Sequence, residues 1–268
     1  MWISGIVAFF GGNTNTEVDT PEVINLNKVS SPCTNTLEKL DYNEDRGAAY
    51  GLLEETYPIF CGGKSKSLES VIPPRDTCQV LGHSDIKYIE MDQGRDFAGG
   101  LMLDSNILWV AGGQDKDGNL MKSTIFVTLN GFESGPDLPY PNSDFCFLKH
   151  EKFVYMIGGN YDRRQTQVYN YETGNWSQAS DIIHLNLNTV DAIQCLLFEH
   201  FGEMVIGLWQ YPLVQYFVLR NQTWLYDYES DPNPVFGTGL ALFNDWKHPS
   251  SIYAVNPNTR FVFNIKRF

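Results

Sequence analysis

The chain has 268 residues, with 32 acidic and 19 basic side chains that leave a formal net charge of −13 at pH 7. This acidic balance repels phosphate backbones and anionic lipids, which argues against a nucleic acid or an anionic membrane as the partner. No apolar stretch approaches the roughly 18 residues that a membrane-spanning helix needs, whereas 43% hydrophobic residues suffice for a large core.

Apolar runs that end in a glycine pair recur along the chain. The pairs are Gly11-Gly12, Gly62-Gly63, Gly112-Gly113 and Gly158-Gly159, so that the first glycines lie 51, 50 and 46 residues apart. A degenerate copy of the repeat around Gly207 and a weaker one at Ile252–Val255 continue the spacing. A repeat of roughly 50 residues indicates a stacked or radial architecture.

Each repeat reads as a set of short strands. The first ten residues are interpreted as one strand that runs into the first glycine pair. The predicted innermost strands of the later repeats are small or apolar: Ala48–Leu52, Ala98–Met102, Phe145–Leu148, Ile193–Leu196 and Gly239–Leu242. A more alternating strand follows each variable loop, at Glu22–Leu26, Thr124–Leu129, Gln167–Tyr171 and Val214–Leu219. A weaker fourth strand comes near an aromatic residue such as Trp176 or Trp224. Short β-branched and aromatic runs between Gly, Pro and Asn favour strands over helices.

Four antiparallel strands in each of six repeats predict an all-β, six-bladed β-propeller that forms a single domain over residues 1–268. A lone four-stranded sheet exposes both faces, and packing it between two neighbours buries both. The glycine pairs permit positive φ angles and a close approach of one sheet to the next. Repeat one lacks its innermost strand and repeat six stops after its third. We therefore expect incomplete terminal blades and a trimmed chain, whose missing upstream part would include a signal peptide.

Candidate catalytic and metal-binding groups are sparse. No metal-ligand spacing links the five histidines, which are His83, His150, His184, His200 and His248. A nucleophile elbow and a phosphate-binding loop are also missing from the sequence. The segment Asp115–Asn119 is similar to the start of a calcium loop but lacks the remaining ligands, which favours a polar hairpin tip. We expect no cofactor, no metal site and no catalytic residue.

Five cysteines leave at least one thiol unpaired. Cys61 and Cys78 flank a long hairpin loop, and they are either a disulfide pair or two reduced thiols of the core. Cys146 and Cys195 each precede the first glycine position of their repeat by twelve residues. We interpret them as equivalent small fillers of the inner strands, and we predict that both remain free. Cys33 has no assignment.

Two N-glycosylation sequons fall on corresponding turns of neighbouring repeats, at Asn175-Trp-Ser177 and Asn221-Gln-Thr223. Both lie at the connection between the third and fourth strands, where exposure is expected. We predict that Asn175 and Asn221 carry glycans if the protein passes through the secretory pathway.

Repeat four shows the repeat pattern best, with Val154–Ile157, then Gly158-Gly159, then Tyr169 or Tyr171, then Trp176. Four apolar residues, a glycine pair, a Tyr and a Trp are the mark of the kelch repeat family, which the chain resembles over nearly its whole length. The resemblance implies a kelch-type propeller whose blade loops bind other proteins.

The chain also resembles secreted invertebrate kelch-like proteins, in which a cysteine before the glycine pair faces one on the following strand. Cys61 and Cys78 match that arrangement, so the resemblance implies a disulfide between them. It also implies an extracellular location, with a cytoplasmic location as the alternative.

The function implied is non-catalytic binding of a protein by a monomeric module. One alternative is an intracellular adaptor or cytoskeletal kelch protein, although the family's usual intracellular partner modules are absent from the sequence. The other is a propeller enzyme, either a glycan hydrolase or a copper radical oxidase with a Tyr–Cys crosslink and two His ligands. Cys146 and Cys195 lie on inner strands, but no His shares those strands.

We expect binding to use the loops that follow the strand ending in Gly-Gly, with the opposite face as the alternative. Tyr, Trp and Arg dominate interface energies, because they bury area and still pair polar atoms. Arg163-Arg164 is an adjacent basic pair in an acidic protein, which suits a partner that carries carboxylates. The candidate residues are Asp115, Asp117, Tyr161, Arg163, Arg164, Trp209 and Tyr211.

Overall fold

The computed structural model describes the backbone of residues 2–3, 6–9, 22–25, 45–54, 56–65, 73–81, 86–181, 194–200, 203–210, 213–220, 223–229, 241–245, 248–256 and 261–267. Side chains are described over 47–54, 56–64, 73–81 and 86–181, and at 206, 217–220 and 223–225. Within these residues every regular element is a β-strand, which confirms the all-β prediction. The chain divides into two compact units, Met1–Asp144 and Phe145–Phe268.

The first unit contains three antiparallel sheets and a two-stranded ladder in its described residues. Its strands are β1 (Trp2–Ile3), β2 (Ile6–Phe9), β3 (Glu22–Asn25), β4 (Asp45–Arg46), β5 (Ala49–Leu53), β6 (Tyr57–Cys61), β7 (Lys64–Ser65), β8 (Thr77–Leu81), β9 (Ile86–Glu90), β10 (Gly99–Met102), β11 (Leu108–Ala111), β12 (Thr124–Thr128) and β13 (Gly131–Ser134). The sheets are β1-β2-β3, β5-β6-β8-β9 and β10-β11-β12-β13, while β4 pairs with β7.

The second unit also contains three antiparallel sheets in its described residues. Its strands are β14 (Cys146–His150), β15 (Phe153–Ile157), β16 (Thr166–Asn170), β17 (Asn175–Gln178), β18 (Gln194–His200), β19 (Glu203–Gln210), β20 (Leu213–Arg220), β21 (Thr223–Glu229), β22 (Ala241–Asp245), β23 (His248–Asn256) and β24 (Phe261–Arg267). The sheets are β14-β15-β16-β17, β18-β19-β20-β21 and β22-β23-β24.

The strands of every large sheet follow one another in sequence order, so that each sheet is an antiparallel meander. Four of these sheets have the predicted four strands, and the first and last have three within the described part of the chain. Successive meanders of this kind make a propeller-like fold, in which each sheet corresponds to one blade.

The first ten residues form two strands where one was predicted. Trp2 pairs with Val7 and Ile3 pairs with Ile6, in an antiparallel arrangement. The prediction followed the apolar run and overlooked the Ser4-Gly5 dipeptide, a combination that marks turns. The short strand β1 therefore precedes β2 as the innermost strand of this sheet. The expectation that repeat one lacks its innermost strand was wrong.

The glycine pairs connect one sheet to the segment that enters the next. Gly62 and Gly63 have φ angles of 70° and 86°, a region that other residues rarely adopt. The Gly63 amide donates a hydrogen bond of 2.7 Å to the carbonyl of Arg95, and a Cβ on Gly62 would collide with that same carbonyl oxygen. Gly113 repeats the arrangement by donating to the carbonyl of Asn142 at 2.9 Å. The predicted role of the pairs in close backbone approach is confirmed here.

The core of the first unit lies between its two four-stranded sheets. Leu53 and Ile59 from one sheet and Leu108 and Val110 from the other belong to a single cluster, and each is fully buried. Side chains alternate between the two faces of a strand, so stacked sheets need apolar residues on the faces that meet. Burial of each such side chain contributes about 1.5–3 kcal/mol.

The core of the second unit joins the sheet β14-β15-β16-β17 to the sheet β18-β19-β20-β21. Tyr155 and Ile157 of the first contact a cluster that includes Ile206, Phe217 and Trp224 of the second. The rings of Tyr155 and Trp224 meet edge to face with centroids 6.2 Å apart. An aromatic residue after the third strand thus packs between blades, as the sequence predicted for this position.

Candidate functional site

The loop between β11 and β12 is the candidate binding loop of the first unit. Its backbone folds around the Asp115 carboxylate, whose Oδ1 accepts hydrogen bonds from the amides of Asp117 at 2.8 Å and Asn119 at 2.9 Å. The side-chain amide of Asn119 donates to Oδ2 at 3.0 Å. Both carboxylate oxygens therefore hold the turn in shape, which is the usual role of an Asp at such a tip.

These hydrogen bonds set the charge state of the tip. Donation by the Asn119 side chain, followed by the backbone amides, holds the pKa of Asp115 below its usual range. Lys116 pairs with Asp117 at 2.9 Å, and the side chains of both are largely exposed. Hydrogen bonding to Asp117 raises the pKa of Lys116, so the tip carries fixed charges of both signs at neutral pH.

The loop between β15 and β16 is the candidate binding loop of the second unit. Asp162 Oδ1 accepts a hydrogen bond from the amide of Arg164 at 3.0 Å, which repeats the turn that Asp115 makes. The Tyr161 side chain is 57% exposed, Arg164 is exposed and Arg163 is half-buried. This loop therefore presents an aromatic and a cationic side chain on a backbone that its own aspartate stabilises.

The structure brings the predicted residues together in two groups. Asp115 and Asp117 share the first loop, where each contacts its neighbours as described. Tyr161, Arg163 and Arg164 share the second loop, which belongs to the other compact unit.

The remaining predicted residues fall in the fifth repeat or at the connection before the fourth strand. Trp209 lies in β19, paired with Val214 of β20, so the strand extends further than the sequence indicated. Tyr211 and Asn221 lie outside the described residues. Asn175 begins β17 and is exposed, as the glycosylation hypothesis requires.

Sequence reasoning missed Arg95, which lies in the segment between β9 and β10. Its side chain is fully buried, and the guanidinium donates to the Ser123 carbonyl at 2.7 Å and to the Gly112 carbonyl at 3.3 Å. Asp92 accepts from the same group with both oxygens, at 2.9 and 3.1 Å. One arginine therefore ties the entry segment to the glycine-pair strand of the following sheet. An isolated Asp-x-x-Arg spacing does not distinguish this arrangement from a solvated charge pair.

The two cysteines of the second sheet are joined, because Cys61 and Cys78 form a disulfide between directly opposed positions of β6 and β8. The pairing implied by the resemblance is confirmed. Cys146 is also disulfide-bonded, so the prediction that it stays free was wrong. The error arose from counting back from the glycine position, which does not give the position of a residue in its hairpin.

Within the described residues, no group of three or more His, Cys, Asp or Glu side chains could hold a metal ion. A helix long and apolar enough to cross a membrane is likewise not found among the residues that the structure describes.

Comparison with known proteins gives three findings. No family model matches the chain. The spermatocyte protein spe-26 of Caenorhabditis elegans is 25% identical over 186 residues, which make up 66% of this chain and 32% of that protein. The chain thus spans about a third of the length of this curated relative. A solved structure of YjhT aligns with 94% of this chain and 87% of that one, with a TM-score of 0.68 and 9% identity. At that identity the likeness concerns the fold alone.

Proposed function

We propose that the chain is a non-catalytic, protein-binding β-propeller module of the kelch type, with six blades. The observation that carries this proposal is the loop after Gly158-Gly159. There Asp162 stabilises the backbone while Tyr161 and Arg164 remain exposed. Binding residues are found disproportionately on loops that a rigid scaffold positions.

The chemistry of these loops favours a protein partner. A turn that is already held by its own hydrogen bonds loses little conformational entropy when it binds, and this lowers the cost of association. Tyr and Arg are the side chains that contribute most to interfaces. Arg163 and Arg164 stand in a protein of net charge −13, so carboxylates on the partner are their natural counterpart.

An extracellular location is part of the proposal. Disulfides persist in oxidising compartments and are rare in the cytosol, and both the Cys61–Cys78 bond and the bonded state of Cys146 accord with secretion. The two sequons would be used in the same pathway. The alternative of a cytoplasmic adaptor requires these sulfurs to be reduced in the native protein.

The copper-oxidase alternative requires a thioether between a cysteine and a tyrosine. The expectation that no His shares the inner strands was wrong, because β14 ends at His150 and β18 ends at His200. The sulfur of Cys146, however, is already bonded to another sulfur and is not available for that crosslink. The likeness to a spermatocyte protein adds no partner, because the chain corresponds to only 32% of that protein's length.

The proposal is tested with the secreted protein as an affinity ligand on extracts of extracellular matrix and cell surface. We expect a captured partner to bind at least tenfold more weakly after Tyr161→Ala and Arg164→Ala are combined. Lys152→Ala is the matched control, because it removes an exposed cation in the turn between β14 and β15. This turn lies at the opposite end of β15 from the candidate loop. Equal loss in both variants, or loss only in the control, would move the binding site to the opposite face.

A further inference from the structure

Cys146 is disulfide-bonded, and the identity of its partner can be narrowed within the chain. The chain has five cysteines, and Cys61 and Cys78 bond to each other. Only Cys33 and Cys195 are left as partners within one molecule. Cys33 lies outside the described residues, whereas Cys146 and Cys195 lie on strands of the same compact unit.

We propose that Cys146 and Cys195 form a disulfide that links the first strands of two consecutive sheets, β14 and β18. These two strands lie next to each other in the second unit. Cys146 is 2% exposed and belongs to the core cluster that also contains Ile206 and Phe217. It therefore lies on the face of its sheet that meets the following sheet.

The register of the following sheet places Cys195 on the complementary face. Leu197 of β18 pairs directly with Ile206 of β19, and directly opposed residues of an antiparallel pair share one face of the sheet. Cys195 precedes Leu197 by two positions, and residues two apart on a strand also share a face. Cys195 thus occupies the same face as Ile206, which packs in the cluster that contains Cys146.

The hairpin register also explains why the two cysteines are not equivalent. Cys146 lies four residues before His150, where β14 ends, and Cys195 lies five residues before His200, where β18 ends. Because successive residues point to opposite faces, this offset of one residue turns the two positions toward opposite faces of their sheets. Neighbouring sheets meet through opposite faces, which is the condition for a bond between them.

Formation of the bond removes two protons and two electrons from the two thiols. The electrons pass to the disulfide of a thiol–disulfide oxidoreductase in the secretory compartment, which becomes a dithiol. The product is a covalent link between two blades, whereas Cys61–Cys78 lies within one blade. This inference does not depend on the identity of a binding partner.

Titration of free thiols in denaturant, on protein secreted from a eukaryotic host, tests the pairing. Two disulfides among five cysteines leave one free thiol, which we assign to Cys33. Cys33→Ser should leave none, while Cys146→Ser and Cys195→Ser should each leave two. If Cys146 instead pairs with Cys33, then Cys195→Ser leaves none and Cys33→Ser leaves two, and the proposal is overturned.

Peptide mapping of the wild-type protein gives an answer that does not require any variant to fold. After alkylation and digestion without reductant, we expect a single crosslinked species that contains Cys146 and Cys195 and that disappears on reduction. Alkylated Cys146 or alkylated Cys195 in the folded, secreted protein would overturn the proposal, as would a species that joins Cys146 to Cys33.

Discussion

The indole Nε1 of Trp224 donates a hydrogen bond of 3.1 Å to Oγ1 of Thr166, which belongs to the preceding sheet. Thr166 is fully buried and Trp224 is 5% exposed, so neither group can replace this bond with one to water. The backbone amide of Trp224 also donates to the hydroxyl of Ser180 at 3.1 Å. The side chain of Trp224 is thus bonded to the preceding sheet, and its backbone to the segment that follows the last strand of that sheet.

The Trp224–Thr166 bond should contribute measurably to stability. Thr166→Val keeps the shape of the side chain but leaves the indole N–H buried without its acceptor, so we expect a loss of about 1–3 kcal/mol in the free energy of unfolding. Trp224→Phe should cost about 1–2 kcal/mol. Denaturant unfolding of both single variants and of the double variant measures the coupling between the two sites.

The double variant should lose less than the sum of the two single losses, by about 0.5–3 kcal/mol. Phe132→Leu is a suitable control, because Phe132 is 40% exposed on an outer strand. It should change stability by no more than about 0.5 kcal/mol. Additive losses would mean that the two residues stabilise the protein independently.

Two glycines with nearly the same φ angle separate the effect of backbone strain from that of close approach. Gly62 has a φ of 70° and Gly174 a φ of 67°. A Cβ on Gly174 would find its nearest atom 3.9 Å away, whereas a Cβ on Gly62 would collide with the carbonyl of Arg95. Gly174→Ala should therefore cost only the left-handed strain, about 1–2 kcal/mol.

Gly62→Ala should cost roughly 1–3 kcal/mol more, because the Arg95 carbonyl must move and it is the acceptor of the Gly63 amide. Thermal or denaturant unfolding of the two variants provides the comparison. Equal losses would show that the glycine pair is needed for its φ angle alone and that the approach of the entry segment is incidental.

Much of the fold was predictable from local chemistry. A glycine pair after an apolar run marks a position that only glycine fills, and the repeat spacing then orders the strands. The opposed positions of Cys61 and Cys78 followed from the resemblance to secreted kelch-like proteins, whereas the residues alone placed the two cysteines only on either side of a hairpin loop. Trp224 could be assigned to an interface between blades, since a large aromatic side chain on an outer strand needs a surface to cover it.

The predictions that failed concerned residues whose position depends on strand register or whose partners are distant in the sequence. Cys146 was placed by its distance from a glycine, but the face on which a strand residue lies changes with every position, so an error of one residue reverses it. Arg95 gave no clear signal, because two of its acceptors are backbone carbonyls 17 and 28 residues away, and its pairing with Asp92 has the same spacing as an exposed ion pair. Trp209 was assigned to a loop by aligning its repeat on Gly207, but this repeat lacks the second glycine and the strand continues through Trp209.

The Cys61–Cys78 bond should stabilise the protein chiefly by restricting the unfolded chain. Its cysteines are separated by 17 positions, for which loop-closure entropy gives roughly 3 kcal/mol. We expect the variant with both Cys61→Ala and Cys78→Ala to have a free energy of unfolding lower by that amount, as measured by urea unfolding. The loss should also include a small contribution from the volume of the removed sulfur atoms, because both side chains are fully buried.

A reductant provides the control for this comparison. It should shift the urea midpoint of the wild type further than that of the double variant, which no longer contains this bond. Non-reducing peptide mapping gives the direct check. Alkylated Cys61 in folded, secreted protein would show that the pair is reduced in the native state.

Glycosylation at Asn175 is expected in a secreting eukaryotic host. The residue is exposed at the start of β17, so an attached glycan would point away from the core. Treatment with a deglycosylating enzyme should lower the mass of the wild type. Ser177→Ala keeps Asn175 but removes the sequon, and it should abolish the same glycan as Asn175→Gln does. A wild-type mass that does not change on treatment would contradict the secretory assignment.

The pKa of Asp115 reports whether the loop between β11 and β12 is held as described. Its folded-state pKa is lowered, so the turn gains stability from the carboxylate above the unfolded pKa of about 3.9. That stability is lost as the pH falls through the folded-state value.

Asn119→Ala removes the strongest hydrogen bond to Asp115 and keeps the two backbone donors. We expect it to raise the pKa of Asp115 toward its ordinary value, as measured by NMR titration of the side-chain carboxyl carbon. Lys116→Gln is the matched control and should give a smaller rise, since attraction to Lys116 is the weakest of the causes. Equal shifts in the two variants would mean that the Asn119 side chain does not organise the tip.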